Sequence, residues 1–265
     1  MNFLLLGHQR AGTSFFLDLL RHNMEIDTIN EPFSMHTDFF RSNEERWGRR
    51  DYNQRYLHKD LKNRPITQSF VKDLALWMNS DSERVRGIKE TALIEKYDWL
   101  VEALGIDKTI ILIRDPRAVY YSVIKRNMQN SWWNYKEKVV KYYFSEDINL
   151  SDELEVVCRV INQRYRELLN ISKKKSKEIL VVRLEDVLEL PDYYIEEVMG
   201  FLNLTYDDNQ KAFFNKTKCE TRDSTYSNYR KKEDVLDGWK NGINQADRER
   251  IEQIFEDILK GFKYI

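Results

Sequence analysis

The start of the chain has the form of a phosphate-binding strand, loop and helix. Residues 3–20 read FLLLGHQRAGTSFFLDLL, in which a short apolar run precedes a glycine-bounded loop and a second apolar segment. Gly7 and Gly12 have the spacing of the nucleotide-binding loop G-x-x-x-x-G-K-S/T. Thr13 occupies the lysine position, however, and the loop carries its cation earlier, at Arg10. Because that lysine reaches the β- and γ-phosphates of a nucleoside triphosphate, its absence indicates a nucleotide whose reacting group is not a γ-phosphate.

Short apolar segments along the chain predict a parallel sheet. Such segments, often β-branched, are typical of buried parallel strands. They are Phe3–Leu6, Val85–Lys89, Thr109–Ile113 and Ile179–Arg183. Apolar residues three and four positions apart over 154–169 and 246–259 predict amphipathic helices. We therefore expect a three-layer α/β fold with a mostly parallel central sheet flanked by helices, whose ligands bind beyond the carboxyl ends of the strands.

The composition favours one domain. The 265 residues include only 9 Gly and 4 Pro, which leaves no flexible linker, so we expect a single domain over 1–265. Two segments, 34–82 and 127–150, are charged and aromatic rather than scaffold-like. We interpret both as insertions that cover the substrate. The alternative is that they form helices that pack their own aromatic residues.

Charge and cysteine content exclude several classes of function. A net charge of -1 argues against a general polyanion binder, so we expect no nucleic-acid partner. Cys158 and Cys219 are far apart and form no redox or metal motif, and we expect no bound metal. No apolar stretch is long enough to span a membrane or to form the core of a signal peptide. These features predict a soluble, cytoplasmic protein without a membrane partner.

A second motif follows the predicted strand TIILI. It reads Arg114-Asp115-Pro116-Arg117, with Ser122 downstream. An arginine that leaves a buried strand is costly unless it meets an anion or a carboxylate. The partner of Arg114 could therefore be a ligand phosphate or the adjacent Asp115.

Together, GHQRAGTS and LIRDPRAVYYSVIKR resemble the sulfotransferases that use 3′-phosphoadenosine 5′-phosphosulfate (PAPS) and release the bisphosphate PAP. The resemblance implies a P-loop-like sulfotransferase fold, PAPS as co-substrate and no metal. Leu184-Glu185-Asp186 stands where the family has Tyr-Glu-Asp, and the missing tyrosine removes one expected adenine contact. The residues that the resemblance assigns to the nucleotide are Arg10, Ala11, Gly12, Thr13 and Ser14 at the 5′ side, Arg114 and Ser122 at the 3′-phosphate, Phe15 at the adenine, and Arg230 and Lys231 in a closing segment before Gly238-Trp239.

The residue expected to act as the catalytic base differs from the base of one branch of this family. Cytosolic sulfotransferases of phenols and steroids carry a Lys-Thr-His run whose histidine is the base, whereas this chain reads Lys89-Glu90-Thr91. A second branch, which includes tyrosylprotein and several carbohydrate sulfotransferases, uses a glutamate shortly after the first helix. Glu31 stands at that place. We expect Glu31 to be the base.

The same resemblance implies that Lys89 and Arg10 stabilise charge on the leaving phosphate. Glu90 and His36 are alternative bases, and we favour a role for Glu90 in orienting Lys89. The expected reaction is transfer of a sulfuryl group from PAPS to a hydroxyl or amine of a small molecule, with microbial specialised metabolites such as polar alkaloids as one acceptor class. The competing hypotheses are a P-loop nucleotide-dependent kinase and a catalytically silent PAP-binding protein.

Overall fold

One parallel sheet organises the chain. The computed structural model describes residues 1–33, 65–80, 83–126, 149, 151–175, 178–219 and 231–265. Within these ranges, five strands pair in parallel in the order β2-β3-β1-β4-β5. The strands are β1 (Asn2–Gly7), β2 (Ile26–Asn30), β3 (Val85–Glu90), β4 (Lys108–Ile113) and β5 (Glu178–Arg183).

Four of these strands are those that the sequence predicted, each longer by one or two residues. The strand β2 was not predicted. It lies at an edge of the sheet, where only its first residue, Ile26, is buried, and its polar residues interrupt the apolar pattern of a buried strand. This missed strand matters because it ends at Asn30, next to Glu31.

Helices cover both faces of the sheet. The two predicted helices at 154–169 and 246–259 lie inside longer ones. The helices are α1 (Thr13–Arg21), α2 (Pro65–Met78), α3 (Tyr97–Leu104), α4 (Pro116–Lys125), α5 (Glu153–Ser172), α6 (Leu184–Glu189), α7 (Pro191–Phe201), α8 (Asp208–Cys219), α9 (Lys232–Leu236), α10 (Gly238–Gly242) and α11 (Gln245–Gly261). A short 3-10 turn, Ile94–Lys96, precedes α3.

The alternation of side chains along β1 divides the core in two. Leu4 and Leu6 pack on one face, with α2, α3, α5 and α11. Phe3 and Leu5 pack on the other face, with α1, α7 and α8. Because both faces of β1 are covered, the strand is apolar at nearly every position, as parallel strands are. The predicted three-layer α/β fold is confirmed.

Part of the first predicted insertion belongs to the core of the fold. Within 34–82, the helix α2 is described, and its residues Phe70, Leu74 and Met78 are buried in the core. Residues 34–64 and 81–82 lie outside the described ranges. So does the second segment, 127–150, apart from Asn149.

The described residues include a buried cysteine, and they contain neither a cluster of metal-ligand side chains nor a membrane-spanning helix. Cys158 is buried in the core, and burial raises the pKa of its thiol well above the usual value, which makes it inert. Within these ranges no three His, Cys, Asp or Glu side chains are grouped as metal ligands would be. No described helix combines the length and the apolar character needed to cross a bilayer.

Candidate active site

The loops that carry both motifs meet at one edge of the sheet. All five strands are parallel, so the residues after β1, β2, β3 and β4 leave the sheet on the same side. Side chains join them there: Lys89 reaches Ser14, and Arg114 reaches the carbonyl oxygen of Arg10. The convergence expected from the sequence is present.

The first loop turns sharply into α1. Arg10 and Gly12 have positive φ angles of 69° and 88°, and α1 begins at Thr13 with Gly12 as its N-cap. A methyl group on Gly12 would lie 2.8 Å from Leu184 Cδ2, so the loop packs closely against the start of α6. The first amides of a helix have no carbonyl partner within it, and they attract anions. The start of α1 therefore has the geometry of a phosphate site.

Lys89 is the centre of a polar cluster. Its Nζ lies 3.0 Å from Glu31 Oε1, 3.0 Å from Asn30 Oδ1 and 3.4 Å from Ser14 Oγ. The Lys89 side chain is only 4% exposed, whereas that of Glu31 is 22% exposed. The cation is thus shielded from solvent while its carboxylate partner stays accessible. This cluster joins the phosphate loop to the candidate base.

Glu31 is held by its backbone and its side chain. Its amide donates to the Lys89 carbonyl oxygen at 2.8 Å, and the Thr91 hydroxyl donates to Glu31 Oε1 at 2.6 Å. The φ angle of Glu31 is 46°, a left-handed conformation that a residue other than glycine rarely adopts. Such strain is typical of functional positions. Thr91, which stands in the place of the histidine base, serves here as a donor to Glu31.

The expected role of Glu90 is wrong. Glu90 is fully buried, and its Oε1 accepts a hydrogen bond from the Phe33 amide at 3.4 Å. The carboxylate that reaches Lys89 is that of Glu31. The Glu90 carboxylate does not reach it, because successive side chains of a strand point to opposite faces. Glu31 and Asn30 orient Lys89, and Glu90 instead holds the backbone that follows Glu31. His36 lies outside the described residues.

The second motif is joined to the first loop. Arg10 Nε donates to Ser122 Oγ at 3.2 Å. Arg114 donates through Nη1 to the Arg10 carbonyl oxygen at 3.2 Å and through Nη2 to the Val235 carbonyl oxygen. Its Nε is buried and has no hydrogen-bond partner among the described residues. Burial lowers the pKa of Arg114, and the negative charge of Glu185 is the largest influence opposing that shift.

Asp115 is not the partner of Arg114. Its carboxylate caps α4 by accepting from the Arg117 amide at 2.9 Å, and it also accepts from Arg117 Nε at 3.0 Å and Nη2 at 2.8 Å. Arg117 is held further by Glu252 at 2.7 Å. The internal Arg–Asp pair that the sequence allowed thus exists, but with Arg117. Arg114 is a half-buried cation that donates to two carbonyl oxygens.

The match to a known family decides the class of protein. The family model described as the sulfotransferase domain matches residues 1–263, nearly the whole chain. The chain belongs to the sulfotransferase family. It is a PAPS-dependent sulfotransferase, and the kinase alternative is set aside.

Solved sulfotransferase structures share the fold. The sulfotransferase domain from the curacin biosynthetic pathway is 14% identical, with a TM-score of 0.58 and 95% of each chain covered. The sulfotransferase domain of the Synechococcus PCC 7002 olefin synthase is 15% identical, with a TM-score of 0.57 over 97% of this chain and 94% of that one. Mouse sulfotransferase SULT7A1, solved in complex with PAP, is 14% identical, with a TM-score of 0.56 over 97% and 84%. No curated protein sequence matches the chain.

Other predicted residues of this sulfotransferase lie around the same edge. Phe15 is half-buried, and its ring centroid lies 6.2 Å from that of Phe213 and 5.9 Å from that of Phe214. Lys231 is exposed at the N-terminus of α9, and Arg230 lies outside the described residues. Trp239 is a core residue, with the Arg117 guanidinium 4.4 Å from its ring centroid.

Several residues of the site were not found from the sequence. Asn30 contacts Lys89 directly, and its position beside Glu31 was a signal that could have identified it. Tyr165 and Glu185 contact the backbone on either side of the Arg114–Asp115 peptide bond. They come from α5 and α6, distant in sequence; Glu185 belongs to the Leu184-Glu185-Asp186 segment, but nothing in the sequence linked it to Arg114, and no local pattern marks Tyr165.

Proposed function

We propose that this sulfotransferase transfers the sulfuryl group of PAPS to a hydroxyl or amine of a small-molecule acceptor, with Glu31 as the general base. The observation that carries the proposal is the position of Lys89. Its ammonium group contacts Ser14 in the phosphate loop and Glu31 at the same time, at 3.4 and 3.0 Å. One cation therefore adjoins both the site for the leaving phosphate and the group that would accept the proton.

The nucleotide is assigned to the two joined motifs. The left-handed loop and the amides at the start of α1 suit the 5′-phosphosulfate, with Arg10 as their cation. Arg114 and Ser122 suit the 3′-phosphate, since Arg114 is a half-buried arginine that forms no ion pair with a carboxylate among the described residues. The adenine is assigned to Phe15, and Lys231 and Arg230 to the closing segment. The residues that complete the 5′ site are Ala11, Gly12, Thr13 and Ser14.

The reaction moves one sulfuryl group and one proton. The acceptor oxygen or nitrogen forms a bond to sulfur while its proton passes to the Glu31 carboxylate. The bond between sulfur and the 5′-phosphate oxygen breaks, and PAP leaves with the electron pair. Lys89 and Arg10 stabilise the charge that develops on that oxygen.

The Lys89–Glu31 pair links the two halves of this reaction. As the bond to sulfur breaks, the charge that develops on the 5′-phosphate oxygen would compete with Glu31 for the ammonium group of Lys89. Once Lys89 turns toward that oxygen, the Glu31 carboxylate is left to Thr91 and to the acceptor proton. We therefore propose that Lys89 couples the departure of PAP to proton transfer.

The acceptor and setting complete the proposal. With Glu31 as the base, we propose that the chain belongs to the branch without the catalytic histidine. We propose one domain acting in the cytoplasm, with the segments near 34–82 and 127–150 covering the acceptor. A microbial specialised metabolite, such as a polar alkaloid, is the acceptor class to screen first.

One set of measurements tests the function. The protein is titrated with PAP, ATP and ATP–Mg, and then assayed for PAPS turnover with a broad panel of hydroxyl and amine acceptors. We expect PAP to bind more tightly than ATP–Mg and turnover to require an acceptor. Tighter binding of ATP–Mg would overturn the nucleotide assignment. PAP binding without turnover on any acceptor would support a silent PAP-binding protein instead.

A further inference from the structure

A single peptide group next to the phosphate-binding arginine is held from both sides. The carbonyl oxygen of Arg114 accepts a hydrogen bond from the Tyr165 hydroxyl at 2.6 Å. The amide of Asp115, the other half of the same peptide group, donates to Glu185 Oε1 at 2.8 Å. Tyr165 is fully buried, so the first of these bonds is shielded from water. The orientation of this peptide is therefore fixed by side chains of α5 and α6.

The Glu185 carboxylate is itself anchored by the residues after α11. The Tyr264 hydroxyl donates to Glu185 Oε2 at 2.9 Å. The guanidinium of Arg183 lies 4.4 Å from the Tyr264 ring centroid and donates to the Lys263 carbonyl oxygen at 3.1 Å. The segment 263–264 is thus attached to the end of β5, and through Glu185 to the Arg114–Asp115 peptide.

This arrangement fixes the backbone from which the Arg114 side chain extends. The peptide group lies between β4 and α4, and Asp115 caps α4, so a rotation of the peptide would disturb both the cap and the direction of the arginine. The guanidinium of Arg114 is held only through two carbonyl oxygens among the described residues. An arginine paired with a carboxylate is oriented by that ion pair. The direction of the Arg114 side chain therefore depends more strongly on its own backbone.

We propose that Tyr165, Glu185 and Tyr264 are positioning residues that hold Arg114 toward the 3′-phosphate of the nucleotide. The inference rests on the assignment of Arg114 to that phosphate in the proposed function. None of the three needs to touch the nucleotide. The Glu185 carboxylate also supplies the negative charge that offsets the burial of Arg114, while burial raises the pKa of Glu185 itself.

The test compares two ligands that differ only in the 3′-phosphate. Dissociation constants for PAP and for adenosine 5′-phosphate are measured for Tyr264→Phe, Tyr165→Phe and Glu185→Gln. Because each tyrosine change removes one hydrogen bond and Glu185→Gln removes the charge of the acceptor, we expect PAP affinity to fall by about 3- to 10-fold. We expect the affinity for adenosine 5′-phosphate to stay unchanged. In turnover, the KM for PAPS should rise while kcat stays the same.

Matched variants make the outcome specific. Tyr193→Phe removes a hydroxyl from an exposed tyrosine of α7 and should change neither affinity. Glu185→Gln keeps an acceptor for the Asp115 amide, so it should lose less PAP affinity than Glu185→Ala. In an Arg114→Ala background, Tyr264→Phe should have no further effect on PAP.

Two results would overturn the positioning role. One is an equal loss of affinity for both ligands, which would indicate a general structural effect. The other is a loss of PAP affinity on Tyr264→Phe that persists without Arg114. A separate result would contradict the proposed function itself, namely an Arg114→Ala variant whose affinities for PAP and adenosine 5′-phosphate keep the ratio of the unmodified protein.

Discussion

Lys89 and Glu31 form an ion pair at the ends of two neighbouring strands, with Nζ and Oε1 3.0 Å apart. Lys89 belongs to β3, and Glu31 follows β2, the edge strand that pairs with it. The register Asn30↔Lys89 brings both side chains to the same edge of the sheet. Removing one partner of a shielded pair leaves the other charge uncompensated. The proposed base and the cation for the leaving group therefore form one unit.

The Glu31 carboxylate is expected to be necessary for turnover but not for nucleotide binding. Glu31→Gln keeps the size of the side chain and an oxygen that can accept from Thr91, but it removes the base. We expect kcat to fall by about 100-fold or more, the effect of losing a general base. PAP affinity should change by less than about 3-fold, since Glu31 has no assigned contact with PAP. Steady-state kinetics and calorimetry measure the two quantities.

Lys89→Ala provides the complementary measurement. It should lower kcat strongly while preserving most of the PAP affinity, because Lys89 acts on charge that develops as PAP leaves. Glu25→Gln, a change at an exposed position outside the site, serves as the control and should leave both quantities unchanged. Normal turnover by Glu31→Gln would show that the base is another residue.

The Thr91 hydroxyl is expected to hold Glu31 for catalysis. It donates to the carboxylate at 2.6 Å, and a hydrogen bond to a charged group contributes about 1.5–3 kcal/mol. Thr91→Val preserves the shape of the side chain but removes the donor, so kcat should fall by roughly 10-fold or more. Thr91→Ser retains the donor and should keep most of the activity. Equal activities for the two variants would contradict this role.

The parts of the site that the sequence predicted are those built from local signals. The spacing of Gly7 and Gly12 predicted the loop, and α1 begins at Thr13 as expected. The strands β1, β3 and β4 are buried along nearly their whole length, which explains their apolar runs, whereas β5 is apolar although it is an edge strand in which only Val182 is buried. β2 escaped prediction because an edge strand that is only partly buried needs no continuous apolar run.

The contacts that were missed have two different causes, one in strand geometry and one in tertiary structure. A role for Glu90 in orienting Lys89 was favoured, yet the side chains of adjacent residues on a strand lie on opposite faces. That error could have been avoided from strand geometry alone. The link from Tyr264 through Glu185 to Asp115 joins residues that are 79 and 70 positions apart, and no periodicity reveals it.

Gly12 is expected to be required by both the backbone and the packing of the loop. Its φ of 88° favours glycine, and an added methyl group would lie 2.8 Å from Leu184 Cδ2. Gly105 is a suitable control, since its φ is 63° but an added methyl group would lie 3.8 Å from the nearest atom, Asn79 Nδ2. Gly105→Ala should lower the free energy of unfolding by about 1–2 kcal/mol and leave PAP affinity intact.

Gly12→Ala should cost more than that, because the strain of the backbone is joined by the clash with Leu184. It should also weaken PAP binding, since the loop must move away from α6. Denaturant unfolding and PAP titration of both variants measure these effects. Equal losses of stability with unchanged PAP affinity would show that the close contact with Leu184 has no role in shaping the site.

His8 is expected to make the stability of the fold depend on pH. It is fully buried in the first loop, where burial and then the positive charge of Arg164 lower its pKa to about 3. Its Nδ1 lies 2.6 Å from the Gln9 carbonyl oxygen, so the neutral ring donates there. In the unfolded chain the histidine takes up a proton below its ordinary pKa of about 6.5.

Between those two pKa values the unfolded chain binds one more proton than the folded chain, so stability falls as the pH falls. From about pH 7 to about pH 5, this group should lower the free energy of unfolding by about 2 kcal/mol. His8→Asn keeps a donor for the Gln9 carbonyl but cannot be protonated, so its stability should decline less over that interval. Urea unfolding of both proteins at the two pH values measures the difference. Parallel declines would mean that His8 takes up its proton over the same pH range in the folded and unfolded chains, and the loop would then carry a second cation beside Arg10 at about pH 5.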